Sequence, residues 1–344
     1  MTVQQFKSKY QKVEVKEVPN TVDTENCAVT VKVVTYNHGP YIRQCLDSVL
    51  MQKVNFQIQI VIIEDESDDD TRDICLDYAE RYPDTIRLFL NARKNNIELN
   101  GKPTGLFSSV YINYMIKSPY VAMLEGDDYW TDPLSLQKRY DTLQANEDIA
   151  MCFHSIRYYN QRSESFLQQV YPTYDTSKTI PRLSCVHINM PTSTIMFRNG
   201  LIEIFREDMT EIVCGDVLLR GKMCQYGDAR YISDISPSVY RLHRGGVHSS
   251  LPQLEKYQDI IKARKYLLQY YGNKNWDTTP VHESLAYNYV FYFIAALKNR
   301  KLRFKILAKS WKHSKMGVTS FRKILAQSVF LPFVRSKLKL GVST

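Results

Sequence analysis

The sequence predicts an α/β protein on a mostly parallel sheet, and two observations carry the prediction. The first is alternation. Residues 29–35, 57–63, 86–90 and 120–124 are short apolar runs, and helical patterns fill the gaps between the first three. Strands separated by helices of roughly 10–15 residues join as βαβ units. The second is the placement of acids, since Glu64 to Asp70 and Glu125 to Asp128 each follow directly on such a run. Parallel sheets bind ligands beyond the carboxyl ends of their strands, which is where both clusters fall.

Residues 29–35 (VTVKVVT) form the first strand. Gly39-Pro40 ends the turn after it, and residues 41–52 place Ile42, Leu46, Val49 and Leu50 on one helical face. Residues 57–63 (QIQIVII) are the second strand, and residues 71–82 a second helix stopped by Pro83. Residues 86–90 and 120–124 are the third and fourth strands, and a helix follows over 134–146. Beyond 150 the pattern is mixed, with short strands at 151–156, 166–171 and 194–197 and a helix over 216–225. Residues 255–344 read as helical, Tyr-rich and basic. The softest boundary lies near 249–252, so three regions are expected: an extension (1–27), an α/β domain (28–250) and a helical, basic C-terminal region (251–344).

At 344 residues and 44% apolar, the chain can bury one large core or two modest ones. No run approaches the roughly 20 apolar residues needed to span a bilayer. Residues 284–297, an uncharged and largely apolar stretch, suit a core or interfacial helix. The N-terminal decapeptide has no signal-peptide core. Seven cysteines with no C-x-x-C pair argue against a disulfide framework and for buried thiols in a reducing cytoplasm. The net charge of +9 is unevenly spread. Thirteen of the 45 basic residues follow Glu283 and no acid does, which leaves 32 basic against 36 acidic residues before it. A mildly acidic body with a basic tail argues against nucleic-acid binding and points to an anionic surface near the C-terminus.

Four segments could carry chemistry. In Glu125-Gly126-Asp127-Asp128, three carboxylates at a buried strand end need a counterion. A divalent cation holding a phosphate is one, and a solvated acidic turn opening a helix is the plainer alternative. In 64–71 (EDESDDDT), Asp68 to Asp70 suit a helix start, whereas Glu64 and Asp65 sit where acids receive ribose hydroxyls or base N–H groups. The turn 35–42 (TYNHGPYI) contains neither G-x-G-x-x-G nor a Walker A loop. It either simply turns the chain or lines a base pocket with Thr35, Tyr36 and Asn37. Asp216 is an N-cap or a reactive acid, and Arg241 and His243 alternate on one strand face, within reach of a diphosphate or its metal.

In these ordered pieces the chain resembles the family 2 inverting glycosyltransferases of the GT-A fold, as found in bacterial surface-polysaccharide synthesis. The pieces are VVTYNHGPYIRQCLDSVLMQ, IVIIEDESDDDT, YVAMLEGDDYWTDPLSLQ, PTSTIMFRNG, GDVLL and SVYRLHRGGVHS, together covering about residues 28–250. The resemblance implies a GT-A, Rossmann-like sheet flanked by helices, with the helical basic region appended. It implies sugar transfer from a nucleotide-diphosphate donor, a UDP-sugar by expectation, to a saccharide or lipid-linked saccharide, with Mn²⁺ or Mg²⁺ as cofactor. Carried over by position, Glu64 and Asp65 hold the uracil or ribose, and Thr35, Tyr36, Asn37, Glu125 and Gly126 line the nucleotide side. Asp127 and His243 hold the metal, Asp128 supports them, and Asp216 is the general base. Trp130, against core packing, and Arg241 are placed on the acceptor side.

One departure stands out. Residues 105–116 lack the basic residue the family often directs at the diphosphate, which leaves Lys102, Arg241 or Arg244 to supply it. Residues 298–339 intersperse basic and apolar side chains as in-plane interfacial helices do, so peripheral attachment to the inner face of the cytoplasmic membrane is expected. A sugar nucleotidyltransferase and an inactive nucleotide-binding scaffold are the rival readings.

Overall fold

A computed structural model describes residues 1–99, 101–172, 174, 176–200, 212, 214–245, 252–296, 300–317, 319, 323 and 324; the side chains of Lys102 and of residues 300–304 are not among those described. Two compact units are present: Met1–Val213 with Met223–Ser249, and Cys214–Lys222 with Ser250–Thr344.

The first unit begins with helix α1 (Val3–Tyr10) and the two-residue strand β1 (Lys16–Glu17). Then follow β2 (Val29–Thr35), α2 (Gly39–Leu50), β3 (Ile58–Glu64), α3 (Thr71–Arg81) and β4 (Ile86–Leu90). A small ladder, β5 (Glu98–Leu99) and β6 (Lys102–Pro103), leads to α4 (Leu106–Tyr114), β7 (Tyr120–Glu125) and α5 (Ser135–Gln144). Strands β4, β3, β2 and β7 lie parallel in that order, the βαβ half that the alternation predicts.

Alternation along β2 sorts its faces. Val29, Val31 and Val33 join the core cluster with Ile42, Leu46 and Val49 of α2 and Ile74 and Tyr78 of α3. On the other face Lys32 is buried, and its Nζ donates to Ser109 O (2.8 Å) and Asn113 Oδ1 (2.7 Å) of α4. Burial pulls its pKa from 10.5 down to about 7, against the opposing pull of Glu125.

Helix α4 has no polar face to reveal it in sequence, because it is covered on both sides, by the sheet and by α1. Phe6 of α1 is fully buried, with ring centroids 5.3 Å from Phe107 and 5.5 Å from Tyr114. Together with the antiparallel pairing of β1 and β4, this builds the N-terminal extension into the sheet.

The sheet continues with β8 (Ile149–Phe153), then β9 (Ile156–Asn160), β10 (Ser165–Tyr171), β11 (Lys178–Ile180), α6 (Arg182–Cys185) and β12 (Met196–Arg198). Strand β12 runs antiparallel between β7 and β8. The apolar run 151–156 serves two sheets instead of forming one strand. It leaves the main sheet at the buried pair His154-Ser155, where His154 Nε2 meets Ser238 Oγ at 2.6 Å and the Ser238 amide donates to Ser155 O. Likewise, Thr192–Thr194 is a 3-10 turn, held by Thr194 Oγ1 donating to Pro191 O, and the strand begins only at Met196.

Helix α7 (Gly215–Met223), all but its last residue in the second unit, precedes β13 (Asp228–Tyr231) and β14 (Ser238–Leu242) of the first. Strand β13 extends the main sheet parallel to β8, and β14 joins β9 and β10 in a separate three-stranded sheet.

The second unit also contains α8 (Gln253–Asn273), α9 (Thr279–Ala295) and α10 (Arg300–Ser314). Within it α7 approaches α8 closely at Gly221, where a Cβ would lie 2.3 Å from Leu267 Cδ1. Among the described residues no helix is long and apolar enough to cross a membrane. Of the predicted interfacial segment, 298, 299, 318, 320–322 and 325–339 lie outside the described residues.

Candidate active site

Strands β2, β3, β4 and β7 end on one edge, and their connections interlock there. Asn37 adopts a left-handed conformation (φ 52°), which asparagine tolerates better than most residues, and Glu66 does the same (φ 57°). The two turns are stitched by side chains. The Asn37 amide donates to Ser67 Oγ (2.9 Å), the Asp68 amide to Asn37 Oδ1 (2.9 Å), the His38 amide to Thr71 Oγ1 (2.8 Å) and the Gly39 amide to Asp69 Oδ2 (2.9 Å). Much of the 64–71 acid run is therefore spent on building this corner.

Glu64 and Asp65 do not face outward. Glu64 is fully buried; it accepts from the Ser67 amide (2.7 Å) and pairs with Arg72, so here it offers no surface to a nucleotide. Asp65 is 2% exposed and accepts from Asn91, Ser108, Asn96 and Arg93. The direct ribose or base contacts expected of this pair are thus replaced by internal bonds, because each carboxylate satisfies a buried cation or amide first.

Arg93 carries Asp65's influence outward. Its Nη1 lies 2.6 Å from Asp65 and its guanidinium carbon 3.9 Å from the centre of the half-buried Tyr36 ring. Arg93 was not singled out from sequence. Its one signal is its position just past the end of β4, on the edge where ligands gather.

Strand β14 brings the metal-side residues together. Tyr129 and Val239 exchange backbone hydrogen bonds, and the Arg241 amide donates to Asp128 Oδ1 at 3.0 Å, which pins the 125–128 turn against β14. His243, just past the strand, then places Nε2 2.8 Å from Asp127 Oδ2. His38 Nε2 lies 3.9 Å from the same oxygen, and its Nδ1 lies 3.2 Å from Thr35 Oγ1. The side chains of His38, Asp127 and His243 are 14%, 18% and 5% exposed.

The electrostatics of the turn are divided. Burial pushes the Asp127 carboxyl up, but the His243 hydrogen bond and the charges of His38 and His243 bring it below its ordinary value. Burial, then the charges of Asp127 and Glu125, hold Asp128 well above the carboxylate range. The two adjacent carboxyls are thus pushed in opposite directions. Two imidazole nitrogens and one carboxylate oxygen, close together and partly open, are a donor set suited to a divalent cation.

The remaining sequence candidates fall in varied places. Trp130 packs in the core, donating Nε1–H to Ser193 O (2.7 Å) with the Arg139 guanidinium over its ring, so it is no sugar platform. Arg241 is 7% exposed and ringed by Tyr41, Tyr129 and Tyr159; Gln44 and Gln161 accept from its guanidinium, and its Nε meets no partner among the described residues. Thr35 is buried against His38, Arg244 is exposed, and the Lys102 side chain lies outside the described residues. Asp216 lies in the first turn of α7, in the second unit, paired with Arg220 at 2.9 Å.

Residues 30–100, which hold the Tyr36, Asp65 and Arg93 corner, match the model of glycosyl transferase family 2. Over this segment the chain is similar to glycosyl transferase family 2. An uncharacterised protein of Mycobacterium bovis is 35% identical over 129 residues, covering 38% of this chain and 35% of that protein. Chondroitin synthase of Escherichia coli is 23% identical over 278 residues, 80% of this chain and 36% of the synthase. The chain thus spans about a third of the length of these curated relatives.

Solved structures establish the GT-A fold. S. aureus TarS 1–349 in complex with UDP-GlcNAc superposes with a TM-score of 0.58 at 18% identity, over 90% of this chain and 87% of that one. The mannosyltransferase PcManGT from Pyrobaculum calidifontis, in complex with GDP-Man and Mn²⁺, gives 0.55 at 16% identity, over 99% and 87%.

Proposed function

We propose that this chain is a metal-assisted inverting glycosyltransferase of family 2. It moves a sugar from a UDP-sugar to a saccharide or lipid-linked saccharide in polysaccharide, O-antigen or capsule synthesis. One observation carries the reading: the loop after β2 touches both halves of the site. Tyr36 stacks on Arg93 at 3.9 Å, and two residues on, His38 approaches Asp127 at 3.9 Å. A nucleoside whose base meets Tyr36 and Arg93 directs its diphosphate along this loop toward Asp127 and His243.

A bound divalent cation supplies positive charge where the departing diphosphate becomes more anionic. Asp127 and His243 would hold it, and Asp128, bonded to the Arg241 amide, would keep the turn against β14. Asp216, by its place in the family pattern, takes the proton of the acceptor hydroxyl as that oxygen bonds to C1 of the sugar. The C1–O bond to the diphosphate breaks on the opposite face, the electron pair leaves with the diphosphate, and the anomeric centre inverts. No general acid is required, because the leaving group departs as an anion; hydrolysis of a glycoside would need one.

In the second unit, α10 exposes Trp311 among Lys305, Lys309, Lys312 and Lys315, the chemistry of a helix lying on an anionic bilayer surface. Flotation with anionic vesicles, with and without residues 298–344, tests this part; equal flotation refutes it.

The transfer reading is tested with UDP-, GDP- and dTDP-sugars, each with Mn²⁺ or Mg²⁺, by thermal shift and by release of nucleoside diphosphate. A UDP-sugar is expected to raise Tm and to be consumed, and Arg93→Ala to abolish the Tm rise. No response to any nucleotide sugar, or an unchanged one in Arg93→Ala, overturns the reading.

A further inference from the structure

We infer that His38 is a third protein ligand of the metal. His38, Asp127 and His243 then form a two-imidazole, one-carboxylate donor set that binds a first-row transition cation before any nucleotide arrives. The inference deepens the reading above, resting on its metal site, but its test needs no sugar transfer.

The geometry comes first. Asp127 Oδ2 lies 2.8 Å from His243 Nε2 and 3.9 Å from His38 Nε2, and all three donor atoms lie within 4.8 Å of one another. Two donors that each lie ~2.0–2.2 Å from one ion are at most about 4.4 Å apart; both Asp127–imidazole separations meet this, and the 4.8 Å span of the whole set exceeds it only slightly. A movement of a few tenths of an ångström closes the difference.

The orientation of His38 points the same way. A histidine that ligates through Nε2 carries its proton on Nδ1 and donates it to an acceptor that fixes the ring. Thr35 Oγ1, 3.2 Å from His38 Nδ1, is such an acceptor. His243 is less prepared, because its Nδ1 faces the Gly245 amide at 3.3 Å and its Nε2 hydrogen-bonds to Asp127. It must change tautomer to ligate, whereas His38 need not.

The glycine inside the acidic motif is a separate sign. A Cβ on Gly126 would lie 2.6 Å from Thr35 Oγ1 and 2.8 Å from His38 Nδ1. The motif's middle residue thus makes room for His38 and the hydroxyl that orients it. The backbone of residues 37–39 is also held by Ser67, Thr71 and Asp69, so the ring is aimed before a ligand binds.

This donor set has a consequence for metal choice. Mg²⁺ and Ca²⁺ favour oxygen ligands, whereas two imidazoles suit first-row transition ions such as Fe²⁺, Co²⁺ and Zn²⁺, and Mn²⁺, the weakest binder of that series, still accepts them more readily than Mg²⁺. Three protein ligands leave the remaining coordination positions for diphosphate oxygens and water.

The test uses the full chain, stripped with EDTA and free of nucleotide. Mn²⁺ titration followed by EPR is expected to show one site, with Mg²⁺ at least tenfold weaker in competition. Pulsed EPR should detect two coordinated imidazole nitrogens in the wild type and one in His38→Gln, which should bind Mn²⁺ at least tenfold more weakly. Thr35→Val keeps the ring but removes its acceptor, and should weaken binding with both nitrogen signals retained. A single imidazole signal in the wild type, unchanged affinity in His38→Gln, or no Mn²⁺ binding without nucleotide overturns the inference. Two-imidazole binding in a protein that transfers no sugar would refute the transferase reading alone.

Discussion

Gly126→Ala adds one methyl group where the structure has no room for it. Its Cβ would lie 2.6 Å from Thr35 Oγ1 and 2.8 Å from both His38 Nδ1 and Thr35 Cβ, well inside the 3.4 Å at which ordinary contact begins. Something must move by about 0.6–0.8 Å, and the surroundings resist. Thr35 ends the strand register opposite Glu64, its carbonyl accepts from the Asp65 amide, and the Gly126 amide is bonded to Val34 O. His38 is the softer neighbour, but its amide is tied to Thr71. Overpacking of this kind costs about 1–3 kcal/mol. Urea unfolding followed by tryptophan fluorescence should therefore show Gly126→Ala destabilised within that range, and Mn²⁺ affinity should fall at least tenfold as the His38 ring is displaced. The double variant Gly126→Ala/His38→Ala relieves one of the three contacts, so its stability loss should be smaller than the sum of the single losses. Wild-type stability together with wild-type Mn²⁺ affinity in Gly126→Ala would refute the reasoning.

Lys32→Met should stabilise the protein at pH 6. Folded Lys32 loses its proton near pH 7 and the unfolded side chain near 10.5, so below pH 7 the folded state carries the whole cost of the buried ammonium, on the order of 4–5 kcal/mol. Between those values the unfolded state binds more protons, and stability rises with pH. The wild type should thus gain about 2 kcal/mol on the variant from pH 7 to 8.5, and a difference that does not change with pH contradicts the assignment. Phe6→Ala should cost about 3–4 kcal/mol in urea unfolding by emptying the contact between α1 and α4; a loss under about 1 kcal/mol would mean the N-terminal helix is not part of the core. Asp216→Asn should lower kcat by about 10²–10⁴ with the donor-induced Tm rise intact, and normal turnover removes Asp216 from the role of base.

The strand and helix order of residues 29–146 was legible because local signals agree there: β-branched runs, apolar faces at helical spacing, and Gly, Pro or acids at each break. Asp127 and His243 were legible as a type of chemistry, an acid at a strand end and a histidine beside a glycine turn. Helix α4 was not, since a helix covered on both sides has no polar stripe. The run 151–156 was misjudged because its switch between sheets depends on Ser238, more than eighty residues away.

By itself, then, the sequence determined a parallel α/β sheet with acids gathered at one edge, because period, turn chemistry and charge are local properties. Only the tertiary structure decided which acids face outward. Glu64 and Asp65 look available in sequence, yet Arg72, Arg93 and the side-chain amides of Asn91 and Asn96 reach them from other elements. His38 looks like a turn residue until β7 and β14 bring Asp127 and His243 to it. Charge can be read along a chain, but whether a charge is satisfied depends on partners that only folding supplies.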